Sequence, residues 1–154
     1  MSLTNREDMS KVLFVVQASA YPQMGVLYLV DSLRQAGFDS RIVSSDIETN
    51  QLDEIIETEK PVVVGMSVLT APQVVDFERL SKFLKKKYPG IKIIWGGVHP
   101  TILTEECLRS EYIDYVFVGQ GEELFPKLVQ DIVDKKNKYS RQVDGYSPRN
   151  LDQY

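Results

Sequence analysis

A repeated switch between two apolar periods constrains this chain more than any other feature. Val12-Leu13-Phe14-Val15-Val16 is a short uninterrupted apolar run, as expected of a strand covered on both faces. After a loop containing Pro22 and Gly25, Val26, Leu29, Val30 and Leu33 recur at i, i+3, i+4 and i+7, which is one face of a helix. Gly37 stops that helix by supplying a left-handed cap. The cycle then repeats. Arg41 to Ser44 reads as a weaker strand, Leu52, Ile55 and Ile56 mark a short helix, and Pro61 introduces an apolar strand at Val62 to Met66. Phe77, Leu80 and Leu84 form the next helical face, closed by Pro89-Gly90. Lys92 to Trp95 is a fourth strand, Thr101 to Arg109 a short helix, and Asp114 to Val118 a fifth strand. Phe125, Leu128, Val129 and Ile132 line a final helix.

Five strands alternating with five helices predict a three-layer, doubly wound α/β domain around a parallel sheet. Right-handed crossovers favour the flavodoxin-like order 2-1-3-4-5. That order puts the purest apolar strands, around Phe14 and Val64, inside the sheet and the polar Arg41 strand on an edge. Periodicity fades after Lys135, so the packed domain is expected over residues 11–138. Residues 1–10 read as a disordered or expression-derived N-terminus, and 139–154 as a linker.

Composition removes several function classes. With 18 basic against 22 acidic residues, a net charge of −4 and no basic stripe, nucleic-acid binding is not expected. No apolar run approaches the about 20 residues of a membrane span. Met1 to Ser10 is too polar for a secretory signal, which makes a cytoplasmic location the expectation. Cys107 and His99 are the only cysteine and histidine, so the chain builds neither an internal disulfide nor a Cys/His zinc site.

In an open parallel sheet, ligands bind beyond the carboxyl ends of the strands, where the strand order reverses. The loops on that edge are Gln17 to Gly25, Ser67 to Pro72, Gly96 to Pro100 and Gly119 to Glu123. Gly96, Gly97, Gly119 and Gly121 are four of the nine glycines, and Gly25 adds a fifth to this rim. Glycine lets a ligand approach the backbone with no Cβ in the way. Each loop also has a plain structural reading. Gly25 eases a tight turn, Gly96-Gly97 makes another, and Ser67 is a cap or loop hydroxyl. Thr70 or Ala71 before Pro72 starts a helix, His99 is a packing or surface histidine, and Cys107 is packed. Lys85-Lys86-Lys87 is a solvated helix end complementing the dipole. The joint placement on one edge, rather than any single loop, points to a ligand.

Familiar ligands fit these loops poorly. A dinucleotide site needs G-x-G-x-x-G after the first strand, whereas Gly119-Gln120-Gly121-Glu122-Glu123-Leu124 follows the fifth and lacks the last glycine. A flavodoxin-type phosphate loop needs several hydroxyls where only Ser19 stands. A receiver domain needs acidic residues after the first strand and an aspartate after the third, where Gln17 and Ser67 stand. No Ser/His/Asp set is present either, so no catalytic residue is assigned.

Four blocks occur in order between about residues 11 and 134: Tyr21-Pro22-Gln23-Met24-Gly25-Val26-Leu27-Tyr28-Leu29, Ser67-Val68-Leu69-Thr70, Gly96-Gly97-Val98-His99-Pro100-Thr101 and Gly119-Gln120-Gly121-Glu122-Glu123. Together they resemble the N-terminal cobalamin-binding domain of radical S-adenosylmethionine (SAM) enzymes. That group includes methylases and the anaerobic Mg-protoporphyrin monomethyl ester cyclase. The resemblance implies cobalamin lying across the carboxyl edge, its dimethylbenzimidazole tail entering between the first and third strands. Ser67 and Leu69 match an S-x-L motif that contacts the tail, and Gly96 and Gly97 match paired glycines beside the nucleotide. Gly25 matches the last glycine of D-x-H-x-x-G. Tyr21, Pro22 and Met24 would meet the lower face of the corrin, and Thr70, His99, Gly119, Gly121 and Glu122 complete the implied cofactor-binding set.

Ala20 and Pro22 stand where that motif has Asp and His, so the expected state is base-off cobalamin without a histidine from this chain. The C-x3-C-x2-C motif of an iron–sulfur cluster is also missing from a chain with one cysteine. The resemblance therefore implies a binding module with no activity of its own. Its partner would be a C-terminal radical domain holding SAM and a [4Fe-4S] cluster, performing methyl transfer or cyclase-type chemistry on a small-molecule or tetrapyrrole-type substrate. A second reading stays open, that of a degenerate flavodoxin-like docking or substrate-positioning domain that binds no corrin.

Overall fold

The alternation of periods folds as its physics requires. The structure, a computed structural model, describes residues 9–19, 23–69 and 71–145. The expected N-terminal tail over 1–8, and the part of the expected linker beyond 145, lie outside those residues. In chain order the elements are β1 (Lys11–Val16), α1 (Met24–Gln35), β2 (Asp39–Ser44), α2 (Thr49–Glu59), β3 (Val63–Ser67), α3 (Val74–Lys87), β4 (Lys92–Gly96), α4 (Val98–Ile102), α5 (Thr104–Leu108), β5 (Tyr115–Val118), α6 (Leu124–Val133) and β6 (Gln142–Asp144). The sheet is parallel throughout, in the order β2-β1-β3-β4-β5-β6. The expected reversal between the first and third strands is present.

Successive strand residues point to opposite faces, and the sheet sorts them into two cores. Leu13, Val15, Val64, Met66, Ile93, Trp95 and Val116 pack with Leu52 and Ile56 of α2 and with Phe77, Leu80 and Leu84 of α3. Val12, Phe14, Val63, Ile94, Tyr115 and Phe117 pack with Val26 and Leu33 of α1 and with Phe125, Leu128 and Val129 of α6. Gly37 ends α1 at φ +91°, and the Phe38 N–H reaches back to the Leu33 carbonyl at 2.9 Å.

Three local expectations need correction. The packed domain does not stop near 138, because β6 pairs with β5 along the expected linker, matching Val116, Phe117 and Val118 with Gln142, Val143 and Asp144. Lys135 and Asn137 take positive φ, and the Asp131 carboxylate accepts the Lys138 N–H at 3.1 and 3.2 Å. The chain thereby turns back to satisfy the bare edge of β5. Only Val143 of β6 is buried, so a polar stretch conceals a strand. The short helix expected at Thr101 to Arg109 is instead two five-residue helices, α4 and α5. They break at Leu103, and the Thr104 hydroxyl donates to the Pro100 carbonyl at 2.7 Å. Finally, the lysines ending α3 are not merely solvated. Lys85 pairs with Asp114 at 2.6 Å and Lys87 with Asp53 at 2.7 Å.

Candidate functional site

The strand register sets the shape of the carboxyl edge. Phe14, Gly65 and Ile94 lie side by side across β1, β3 and β4, and one level higher Val16, Ser67 and Gly96 do the same. On the face toward α1 and α6, the upper ends of β3 and β4 therefore carry Gly65, Ser67 and Gly96. These are small side chains or none where the helices would otherwise find a wall. A cleft of about 700 Å³ opens there, lined by Val26 and Leu29 of α1, Phe125 of α6, and the upper ends of β1, β3, β4 and β5. That size falls within the about 300–1,000 Å³ of small-ligand pockets.

The floor of the cleft is aromatic. Phe125 meets Phe14 with ring centroids 5.6 Å apart and Phe117 at 5.8 Å. The glycines contribute in different ways. A Cβ on Gly25 would meet nothing within 4 Å, and one on Gly96 would make only an ordinary 3.6 Å contact with Phe117, so these two open space. At Gly65 a Cβ would come within 3.0 Å of the Phe14 ring, and at Gly121 within 3.1 Å of Leu29. Bare backbone lets those side chains settle against it. Gly97 has φ +100°, and a Cβ there would lie 2.9 Å from the Val68 carbonyl oxygen. That space belongs to the loop after β3, which accepts the His99 N–H at the Val68 carbonyl (3.0 Å) and gives the Val68 N–H to the Gly96 carbonyl (2.9 Å).

Among the described residues few polar side chains reach the cleft, and most are engaged. The Ser67 hydroxyl donates to Gln23 Oε1 at 2.9 Å, and Gln23 Nε2 donates to the Gln17 carbonyl at 3.4 Å. The Thr101 hydroxyl donates to the Gly97 carbonyl at 2.8 Å and accepts the Gly119 N–H at 3.3 Å. Gln120 and Glu122 are exposed on the rim.

Of the residues singled out in the sequence, Gly25, Ser67, Leu69, Gly96, Gly97, Gly119, Gly121 and Glu122 converge on the cleft. Met24 opens α1 with over half its surface exposed and does not line it. His99 lies outside the lining as well, its ring edge-on to Trp95 at 6.4 Å. Tyr21, Pro22 and Thr70 lie outside the described residues. Sequence reasoning missed Phe14, Gly65, Phe117 and Phe125, and quoted Gln23 and Thr101 within the resembling blocks without giving either a role of its own; all six line the cleft. One of them left a signal, since Gly65 interrupts an apolar strand and such a glycine marks close approach. Among the described residues no group of three or more His, Cys, Asp or Glu side chains could hold a metal ion, and no helix is long and apolar enough to cross a membrane.

A parallel doubly wound sheet with a glycine-rimmed apolar cleft at its order reversal defines a ligand-binding domain of the open α/β class. Residues 10–129 match the B12 binding domain, and the chain belongs to that family. It is 31% identical over 117 residues to the anaerobic magnesium-protoporphyrin IX monomethyl ester cyclase of Rubrivivax gelatinosus, covering 73% of this chain and 21% of the relative. It is 29% identical over 121 residues to the hopanoid C-3 methylase of Methylococcus capsulatus, covering 74% and 23%. The chain thus spans about a quarter or less of the length of these relatives. Among solved structures it resembles a cobalamin-binding protein from Desulfitobacterium hafniense (TM-score 0.64, 15% identity, 80% of this chain and 59% of that one). It also resembles the methanol:cobalamin methyltransferase complex MtaBC from Methanosarcina barkeri (TM-score 0.61, 17% identity, 80% and 46%). At such identities these likenesses show the fold alone.

Proposed function

We propose that this chain is the cobalamin-holding module of a radical SAM enzyme, and that it binds the cofactor base-off with the nucleotide tail in the cleft. The observation that carries the proposal is the cleft itself. It is open because Ser67 and Gly96 keep side chains small or absent at adjacent strand ends and Gly25 adds none at the start of α1, in a chain belonging to the B12-binding family. Cobalamin supplies a transferable methyl group and a change of cobalt oxidation state. This chain's residues would bind and orient. Gly25 and Gly96 give room, Phe14, Phe117 and Phe125 keep water from the tail, and the Ser67 hydroxyl turns from Gln23 to the base nitrogen. Ala20 and Pro22 offer neither imidazole nor carboxylate, and His99 packs on Trp95, so no histidine of this chain serves cobalt.

The names of the relatives, a porphyrin ester cyclase and a hopanoid methylase, support a parent enzyme that performs cyclase or methyl-transfer chemistry. SAM and an iron–sulfur cluster would be held by a further domain of that parent, acting on a small-molecule or tetrapyrrole-type substrate. Titration of the chain with hydroxocobalamin is expected to give a saturable visible-spectrum change and retention through gel filtration. After reduction, the bound cob(II)alamin should show an EPR spectrum without nitrogen splitting. Splitting would overturn the histidine-free, base-off state. No retention at all would overturn cobalamin binding and leave a docking domain.

A further inference from the structure

We infer that the cleft selects the nucleobase of the cobamide tail, accepting a benzimidazole and rejecting a purine. This rests on the cobalamin reading above and deepens it. Below Ser67 the walls are carbon, from Phe14, Leu29, Ile94, Phe117 and Phe125. Gly65 exposes only strand backbone there, and β3 lies between β1 and β4 in continuous parallel register, so its amides and carbonyls are committed to the ladders. At the neck Thr101 is committed to the backbone of Gly97 and Gly119, which leaves the Ser67–Gln23 side-chain pair as the polar groups able to turn toward a ligand.

A dimethylbenzimidazole joined to its ribose has one free ring nitrogen, which the Ser67 hydroxyl can serve alone. Its remaining edge is two methyl groups, which match an aromatic floor. Adenine in the same place brings an exocyclic amine with two donors and further acceptor nitrogens. Gln23 can answer one of these groups; the others face Phe and Ile carbon and lose water without gaining a partner. Gln120 and Glu122 also line the cleft but are exposed to water there.

The test compares three corrinoids on the intact chain by visible-spectrum titration: cobalamin, the adenine-tailed cobamide, and cobinamide, which lacks the nucleotide. Cobalamin is expected to bind most tightly, at least about tenfold better than the adenine form, with cobinamide weak. Equal affinity for cobalamin and the adenine form would overturn the selectivity while leaving cobalamin binding intact. Equal affinity for all three would overturn it by removing the tail from the cleft. If none bound, the proposed function would fall with it. The half-buried Leu29 provides a second arm, because Leu29→Gln sets an amide in the wall without disturbing a fully buried position. It should narrow the preference by improving the adenine form, and an unchanged ratio would overturn this assignment of the wall.

Discussion

On one face of β3 and β4, Met66 and Trp95 fill the space beneath α3; on the other, their sequence neighbours Ser67 and Gly96 leave it open. The filled side is close-packed, and its buried indole has a partner. Trp95 is only 2% exposed and lies edge-on to Phe77 at 6.3 Å. Its indole N–H donates to the Ser81 hydroxyl at 3.0 Å, and that hydroxyl donates to the Met66 sulfur at 3.1 Å. The open side has an aromatic floor and stays open among the described residues. The difference teaches how one pair of strands can both hold a fold and hold a ligand. Side chains alternate across a sheet, so at these strand ends packing can be concentrated on one face while the other is hollowed without the strands losing their ladder partners.

The sharpest way to break this division is Trp95→Ala. It should cost about 3–5 kcal/mol, a large share of the about 5–15 kcal/mol available to a domain, and leave Ser81 without its donor. Urea unfolding measures it, and a loss under about 1 kcal/mol would mean that the filled face is not where stability resides. The converse substitution, Gly96→Leu, places a side chain over the cleft where a Cβ has only ordinary contact. Urea stability should stay within about 1 kcal/mol, while cobalamin affinity falls by about 10- to 200-fold. Unchanged affinity in a folded variant would dissociate the cleft from the ligand.

A pH series sharpens the contrast further. Burial pushes the Cys107 thiol up to about 11, and the Glu106 carboxylate adds to the effect. Burial likewise raises the phenols of Tyr112 and Tyr115, each helped by nearby carboxylates. These groups stay neutral in the folded chain at a pH where the unfolded chain has released their protons. For Cys107 the stabilising contribution is complete below about pH 9 and lost as the pH climbs through about 11, and the raised phenols add a loss of the same sign as the pH rises. Urea midpoints that do not fall across that window would contradict the burial of these groups. The smallest effect is expected outside the core. Arg41→Ala removes a 2.7 Å pair with Glu59 in which the Arg41 side chain is half exposed, and it should cost about 0–1 kcal/mol, less at high salt.

Much of the architecture was legible because apolar periodicity is a local property. The five strands expected from the sequence and the strand order around β1 and β3 are all present. β6 escaped because an edge strand that buries only Val143 has no apolar run to show. The rim of the site was legible through its glycines and Ser67, since residues without side chains advertise room. Its floor was not. Phe14, Phe117 and Phe125 look like any core residues in the sequence, and only the register that sets Gly65 and Gly96 between them turns them into a lining. Gln23 stood within a quoted block, but its role was not legible because it depends on Ser67, 44 residues away.

The sequence by itself determined a parallel, alternating α/β chain with a small-residue carboxyl rim, because strand and helix periods and missing Cβ atoms are written residue by residue. Only the tertiary structure decided which glycines open space and which are filled by the chain's own loops, and which face of β3 and β4 is hollow. Those outcomes depend on strand register and helix placement, which bring together atoms that no sequence spacing relates.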